Sequence, residues 1–400
     1  MKTIRNVAFI ACMCLVLLSP GARFMVSFFP GHGVPKSRLE GRKRPEIPAV
    51  TWKAVACGKM QSALDGNFAF CVPHREDALL THARWQRMMI RRAARLFGIP
   101  VYPTFYASTC CRIERDDALA AMPGKASPSA AWQLLSAAQR YSNPMKSHSN
   151  IRWFFALVDR SANSLASPLP GLMTAPADYD FYRKHLLAKL PKSCTVIDLG
   201  YANGDDVFTD YFRTDHHWRI QGAVRAYGRI AEALGIEPVK FGLPKAVTGP
   251  IFFGSASRVG LDADVEGDTV YDVDYPRSPL SVSVNGEDKP EIFLNYGYTG
   301  LPYAKSSRFE DVYRKYFHRD VGMLHIVNVR AASRVLLIVG DSFARCMERF
   351  FAESYRDVYR LDPRHTTVTL SEFLASHHVD DALFLVSPGQ SVSAEFLDFL

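Results

Sequence analysis

The sequence predicts an α/β protein built around a parallel sheet, and three observations carry that reading. Val335 to Val339 is a continuous apolar run that enters Gly340-Asp341-Ser342 directly. A run of that length reads as a strand buried on both faces, as parallel strands between helical layers are. Strands and short helices then alternate: strand 335–339, helix 345–354, strand 357–361, helix 370–377 and strand 382–386. The same texture appears upstream, at Trp153 to Val158 and at Thr195 to Leu199. Connections of this kind place a site at the carboxyl ends of the strands.

Taken in order, the chain opens with Lys2 and Arg5 ahead of a charge-free apolar run, Val7 to Leu18, which Ser19-Pro20-Gly21 breaks. That is a secretory pattern over residues 1–30. Phe24 to Phe29 carry the apolar character past Arg23, so a cleaved signal and an inner-membrane anchor over 7–29 both stay open. Either one puts the bulk of the chain in the periplasm or elsewhere outside the cytoplasm.

Residues 31–150 read as an N-terminal extension and linker, beginning with a Pro-, Gly-, Lys- and Arg-rich leader to residue 50. One helix stands out, Glu76 to Phe97. Trp85, Met89, Ala93 and Leu96 share one face of it, and Arg84, Arg87, Arg91 and Arg95 lie nearly opposite. The basic face suits acidic glycan or lipid headgroups, or is an ordinary solvated face. Residues 121–150, dense in Ser, Ala, Pro and Asn, read as a long surface connection.

Residues 151–400 form the expected α/β domain. Asp178 caps a helix ending before Pro191, and Ile220, Ala223, Tyr227, Ile230 and Leu234 make a helical stripe that stops at Gly235. Residues 244–310 are rich in Gly, Asp and Val and read as a β-rich insertion. There is no internal repeat.

The composition, 48% hydrophobic and 22% charged over 400 residues, is globular and excludes a disordered or fibrous chain. A net charge of +8 favours acidic partners. No zinc-finger spacing, RNA-binding signature or aromatic–basic repeat supports nucleic acid, so none is expected. Cys12 and Cys14 sit in the leader, leaving Cys57, Cys71, Cys110, Cys111, Cys194 and Cys346. An exported chain can oxidise them, and a bridge from Cys57 or Cys71 to the Cys110/Cys111 pair is expected, its connectivity open. Cys346 reads as a buried free thiol. No C-x-x-C pair exists, and no metal is expected.

The chemistry starts from Ser342, which the turn after the strand would lift to a helix N-terminus, where backbone N–H groups can stabilise an oxyanion. A serine hydroxyl needs a base, and the base needs an orienting group. Tyr211-Phe-Arg-Thr-Asp-His-His-Trp218 offers both. In an extended segment residues i and i+2 point the same way, which makes His217 the base and Asp215 its carboxylate. Asp341, just before the serine, reads as a turn-stabilising side chain.

Thr214-Asp215-His216-His217-Trp218 with its Gly222-Ala223 helix, and Leu336-Leu-Ile-Val-Gly-Asp-Ser-Phe-Ala344, give the chain a resemblance. It resembles the alginate O-acetyltransferase AlgJ/AlgX group and the DHHW proteins of the SGNH-hydrolase-like superfamily. Glu40-Gly-Arg-Lys-Arg-Pro-Glu-Ile-Pro48 and Gly254-Ser255-Ala-Ser-Arg258 are weaker echoes. The resemblance implies an SGNH-like (flavodoxin-like) three-layer α/β/α fold and a triad of Asp215, His217 and Ser342. The family's usual oxyanion Asn has no clear counterpart; Gln390 and Asn328 are the candidates. Ser255, Arg258 and Gln390 are candidate substrate contacts, Arg258 equally a salt-bridge partner.

The expected function is an exported O-acetyltransferase that loads an acetyl group on Ser342 and passes it to hydroxyls of a cell-surface polysaccharide, without a cofactor. By resemblance, an integral membrane O-acyltransferase supplies the acetyl group. Two alternatives stay open: an acetyl esterase using the same triad with water as acceptor, and a non-catalytic polysaccharide-binding or scaffold protein of an export complex.

Overall fold

The computed structural model describes residues 47–72, 74–106, 108–114, 116–121, 129–158, 179–200, 207–262, 264–290, 313–314 and 317–400. The signal or anchor expected over 1–30, most of the leader and the Asp178 cap lie outside them. By contacts the chain divides into two compact units, residues 1–93 with 104–106, and residues 94–103 with 107–400.

The described part of the first unit is helical: α1 (Trp52–Ala56), α2 (Lys59–Cys71) and most of α3 (Arg75–Leu96). The Thr51 hydroxyl caps α1 by accepting the Ala54 N–H. Helix α3 forms where expected, but its apolar face is exposed, and of the four arginines opposite only Arg87 is buried. Trp85, Met89 and Leu96 are 60%, 49% and 79% exposed, whereas Arg87 is 4% exposed and Ala83 and Ala94 are buried. Among the described residues, no helix is long and apolar enough to cross a membrane.

The second unit opens with an antiparallel meander, β1 (Val101–Pro103), β2 (Cys110–Ile113) and β3 (Ala118–Ala121). The Ser/Ala/Pro segment expected as a surface connection is largely helix α4 (Ala130–Ser147), with Leu134, Ala137, Ala138, Tyr141 and Met145 buried. Those positions keep helical spacing, but two of the five are alanines, so the stripe is faint in sequence. After α4 come β4 (Arg152–Leu157), α5 (Tyr179–His185), β5 (Cys194–Asp198), α6 (Val207–Asp210) and α7 (Ile220–Leu234). The expected β-rich segment holds β6 (Lys245–Phe252), α8 (Ser255–Val259), β7 (Asp268–Asp272), β8 (Ser281–Val284) and β9 (Glu287–Asp288). The chain closes with β10 (Met323–Val327), β11 (Ala332–Gly340), α9 (Glu348–Phe351), β12 (Tyr355–Leu361), α10 (Leu370–Ser376), β13 (Asp381–Val386) and α11 (Ala394–Phe399).

The main sheet runs β5-β4-β13-β11-β12-β10-β8-β9. Its first five strands are parallel; β10, β8 and β9 pair antiparallel. Strand β11 is central and parallel to both neighbours, as its unbroken apolar run requires. Leu336 and Ile338 pack with α7 on one face, while Leu337 and Val339 pack with α4, α10 and α11 on the other. Full burial of such side chains contributes roughly 1.5–3 kcal/mol each.

The expected cysteine bridge does not form: all six described cysteines are free. Cys110 and Cys111, adjacent on a strand, enter two different clusters because neighbouring side chains point to opposite faces. Burial pushes the Cys111 thiol up to about 11 and the Cys346 thiol up to about 12, the latter against hydrogen bonds from its neighbours.

Candidate active site

Ser342 stands at the carboxyl end of β11, in a turn that Asp341 builds. The Asp341 carboxylate accepts the Phe343 N–H (3.0 Å) on one oxygen, and the Ser387 N–H (3.0 Å) and hydroxyl (2.6 Å) on the other. Asp341 is thus spent on tying the turn to the end of β13, as its place in the sequence suggested. Gly340 permits that approach: a Cβ there would lie 2.8 Å from the Leu385 carbonyl and 3.0 Å from the Ala344 methyl. The Ser342 carbonyl accepts the Tyr313 hydroxyl (3.1 Å) and the Arg345 Nε–H (3.4 Å).

The expected helix 345–354 is a 3-10 turn, Ala344–Cys346, followed by the four-residue α9. The amides of Phe343 and Ala344 are already bonded to Asp341. The oxyanion donors expected from a helix N-terminus are therefore not formed by those two groups.

Asp215 and His217 reach Ser342 from the α6–α7 connection. That segment is not extended but a tight loop, closed by the Tyr211–Trp218 bridge and by the Phe212 N–H to the His217 carbonyl (3.2 Å). The i,i+2 pairing survives for a different reason. Asp215 Oδ1 accepts both the His217 backbone N–H (2.9 Å) and the ring Nδ1–H (2.6 Å), a local turn closed by a side chain. An ionised carboxylate can only accept, so the ring proton sits on Nδ1 and Nε2 is left as an acceptor. His217 Nε2 lies 2.8 Å from Ser342 Oγ, across 125 residues of chain. All three side chains are buried.

Three neighbouring elements hold the loop. Asp268 accepts the Arg213 N–H (2.9 Å), the Thr214 N–H (2.9 Å) and the Thr214 hydroxyl (2.7 Å), and pairs with Arg219 (2.6 Å). The Thr214 carbonyl takes the amides of Ala256 and Ser257 at the start of α8. The Ser255 N–H donates to the second Asp215 oxygen (2.6 Å). Gly254 is where α8 meets Asp215; a Cβ there would lie 2.3 Å from the Asp215 Cβ and 2.5 Å from Oδ2. Burial alone would raise the Asp215 carboxyl. The His216 and His217 rings and the two hydrogen bonds outweigh it and hold the group well below the usual carboxylate range.

The His217 ring is clamped between two others. Tyr313 stacks on it at 3.8 Å between centroids and 9° between planes, and the His216 ring lies 3.8 Å away. Trp218 packs edge-on to Phe343 and donates its indole N–H to Cys346 Sγ (2.7 Å), joining the loop to the turn after the serine. Asp215, His216 and His217 could in principle ligate a metal. Here both Asp215 oxygens accept N–H donors, and His217 uses its two ring nitrogens on Asp215 and Ser342.

The other candidates fall differently. Ser255 is at the site, its hydroxyl 2.8 Å from His216 Nδ1. Arg258 is on the same short helix, α8. Gln390 follows β13 on the serine's edge of the sheet, but its Oε1 accepts the Ser393 hydroxyl (3.3 Å). Asn328 sits at the opposite edge, beside the start of β12, where it caps a turn and donates to the Ala352 carbonyl. Tyr313 and Asp268 had no signal in the sequence, because each acts through tertiary contact, and Gly254 stood there only within the weak Gly254–Arg258 echo.

The sequence matches no family model and no curated protein. Solved structures do share the fold. Bacillus cereus PatB1 is 20% identical with a TM-score of 0.56, covering 70% of this chain and 97% of that one. A structure of the same protein with a sulfonyl adduct gives 21% and 0.55, covering 70% and 96%. A DHHW family protein from Eubacterium siraeum DSM 15702 gives 18% and 0.54, covering 70% and 91%. At these identities the likeness is one of fold.

Proposed function

We propose that the protein is an extracytoplasmic O-acetyltransferase working through an acyl-enzyme on Ser342. The observation that carries this reading is the chain of contacts Asp215–His217–Ser342, 2.6 Å and 2.8 Å, at the carboxyl edge of a parallel sheet. His217 Nε2 takes the Ser342 proton as Oγ attacks the acetyl carbonyl, and returns that proton to the leaving group as the donor ester or thioester breaks. The product is acetyl-Ser342. A sugar hydroxyl then gives its proton to His217 and attacks the acyl carbon; the new ester forms, and Ser342 leaves with the proton from His217. Asp215 holds the ring in the required tautomer and stabilises the imidazolium that forms in each half-reaction.

The acceptor is proposed to be a cell-surface polysaccharide, and the acetyl source an integral membrane O-acyltransferase. Both follow the resemblance of the two motifs to the alginate O-acetyltransferases, and a net charge of +8 agrees with an acidic polymer. Ser255 and Arg258, on the helix that touches Asp215, are the proposed substrate contacts.

The test is incubation with a chromogenic acetyl ester, with and without an oligosaccharide acceptor. The transferase reading predicts acetylated sugar. Acetate released at full rate with no sugar acetylated would establish the esterase instead. Ser342→Ala, introduced into the producing cell, should abolish acetylation of the surface polymer; unchanged acetylation would mean a non-catalytic role.

A further inference from the structure

The outward apolar face of helix α3 is unexplained by the proposed reaction. At about 100° per residue, Ala78, Thr81, Trp85, Met88, Met89 and Arg92 fall on one stripe, and all are exposed. The inward stripe is Ala83, Arg87 and Ala94, flanked by half-buried Leu79, Leu80 and Ile90. A soluble helix ordinarily keeps its outward face polar, so the outward Trp85-Met88-Met89 stripe is a second apolar surface, held in water. Trp52 and Val55 on α1 of the same unit are exposed as well. The charge on α3 is one-sided: six arginines against Glu76 and Asp77, with no acid from Ala78 to Leu96. Arg84 and Arg92, both exposed, lie on or beside the apolar stripe.

We infer that α3 is an interfacial helix that seats on an anionic lipid surface. A tryptophan and two methionines facing outward, edged by arginines, match the boundary between acyl chains and negatively charged headgroups. A protein partner would fit the apolar stripe equally but gives no reason for the missing acids; anionic headgroups do. The inference is independent of the Ser342 chemistry, since no residue of that site lies on α3.

The test uses the full chain with vesicles of brominated phosphatidylcholine, with or without phosphatidylglycerol. Bromine quenches tryptophan only at the depth of the acyl chains. The difference between wild type and Trp85→Phe isolates Trp85 from the other tryptophans and from any attachment through the N-terminal apolar run. We expect Trp85 emission to fall by about half or more in the anionic vesicles, to fall little in neutral ones, and to recover in high salt. Arg84→Gln with Arg92→Gln should lower occupancy of the seated state about 25-fold, roughly fivefold per charge. Quenching that is the same in wild type and Trp85→Phe, or the same in neutral vesicles, would overturn the proposal. Protection of Trp85 by a protein alone would overturn it in favour of that partner.

Discussion

Gly254→Ala should disable the site without replacing any group that takes part in chemistry. The backbone at Gly254 is extended, with φ of −82° and ψ of −168°, so alanine meets no conformational penalty. Space is the whole obstacle. The new methyl would stand 2.3 Å from the Asp215 Cβ, 2.5 Å from Oδ2 and 2.6 Å from the Thr214 carbonyl, where contact needs about 3.4 Å or more. Two of those three atoms are backbone or bonded to it, so the loop or α8 must move by about 1 Å. The Ser255 N–H bond to Asp215, now 2.6 Å, lengthens or breaks, and the His217 ring loses its fixed partner. A misplacement of that size costs about 100-fold in rate, and complete loss of the orienting carboxylate about 10⁴-fold. We therefore expect turnover of a chromogenic acetyl ester to fall between those limits. Overpacking should cost only about 1–3 kcal/mol in urea unfolding. Wild-type turnover in a folded Gly254→Ala protein, beside an inactive Asp215→Asn, would refute the idea that α8 fixes the carboxylate.

Other expectations follow from the same geometry. Tyr313→Phe removes the hydroxyl from the Ser342 carbonyl but keeps the ring on His217, so turnover should fall less than about tenfold, one hydrogen bond's worth; Tyr313→Ala should lose clearly more, and equal rates would show the stack to be idle. Glu348, fully buried, pairs with Arg360 and lies 3.0 Å from His318 Nε2; Glu348→Ala should destabilise by about 1–3 kcal/mol in urea unfolding, because it leaves His318 without its carboxylate while Asp362 still pairs with buried Arg360. Asp215 is held below the usual carboxylate range, so its ionised form stabilises the fold above the unfolded value near 4, and that contribution is lost as pH falls through the lower folded value. The stability gap between wild type and Asp215→Asn should accordingly shrink as pH falls below about 4; a gap that grows there would contradict this.

What could be read from sequence was whatever is written in unbroken runs or short motifs. Strand β11 announced itself because five large apolar residues have no solvent-facing alternative, and Asp341 and Asp215-His217 because their partners are one or two residues away. Asp215 and His217 do meet, but not by the extended geometry their spacing suggests: the loop is bent, and the carboxylate reaches the ring by closing a turn on the His217 backbone. Helix α4 escaped because alanines bury as well as leucines yet leave little apolar signal. Strand β10 escaped because His325, which pairs with Asp357, interrupts its apolar run, while Met323 and Val327 on the same half-buried face hide its alternation. The facing of α3 could not be read, since periodicity locates two stripes but not which one meets the protein. Tyr313 and Asp268 are ordinary residues locally, and Gly254 belongs only to a weak motif; only the fold brings the three to the loop that holds Asp215 and His217.

The central claim is that Ser342 is a nucleophile with His217 as its base. Intact-protein and peptide mass spectrometry after treatment with a sulfonyl fluoride, or after mixing with an activated acetyl ester, tests it most directly. The account predicts a single adduct on the peptide holding Ser342, absent from Ser342→Ala and strongly slowed in His217→Gln. An adduct on another residue, or equal labelling of Ser342 when His217 is replaced, would contradict it.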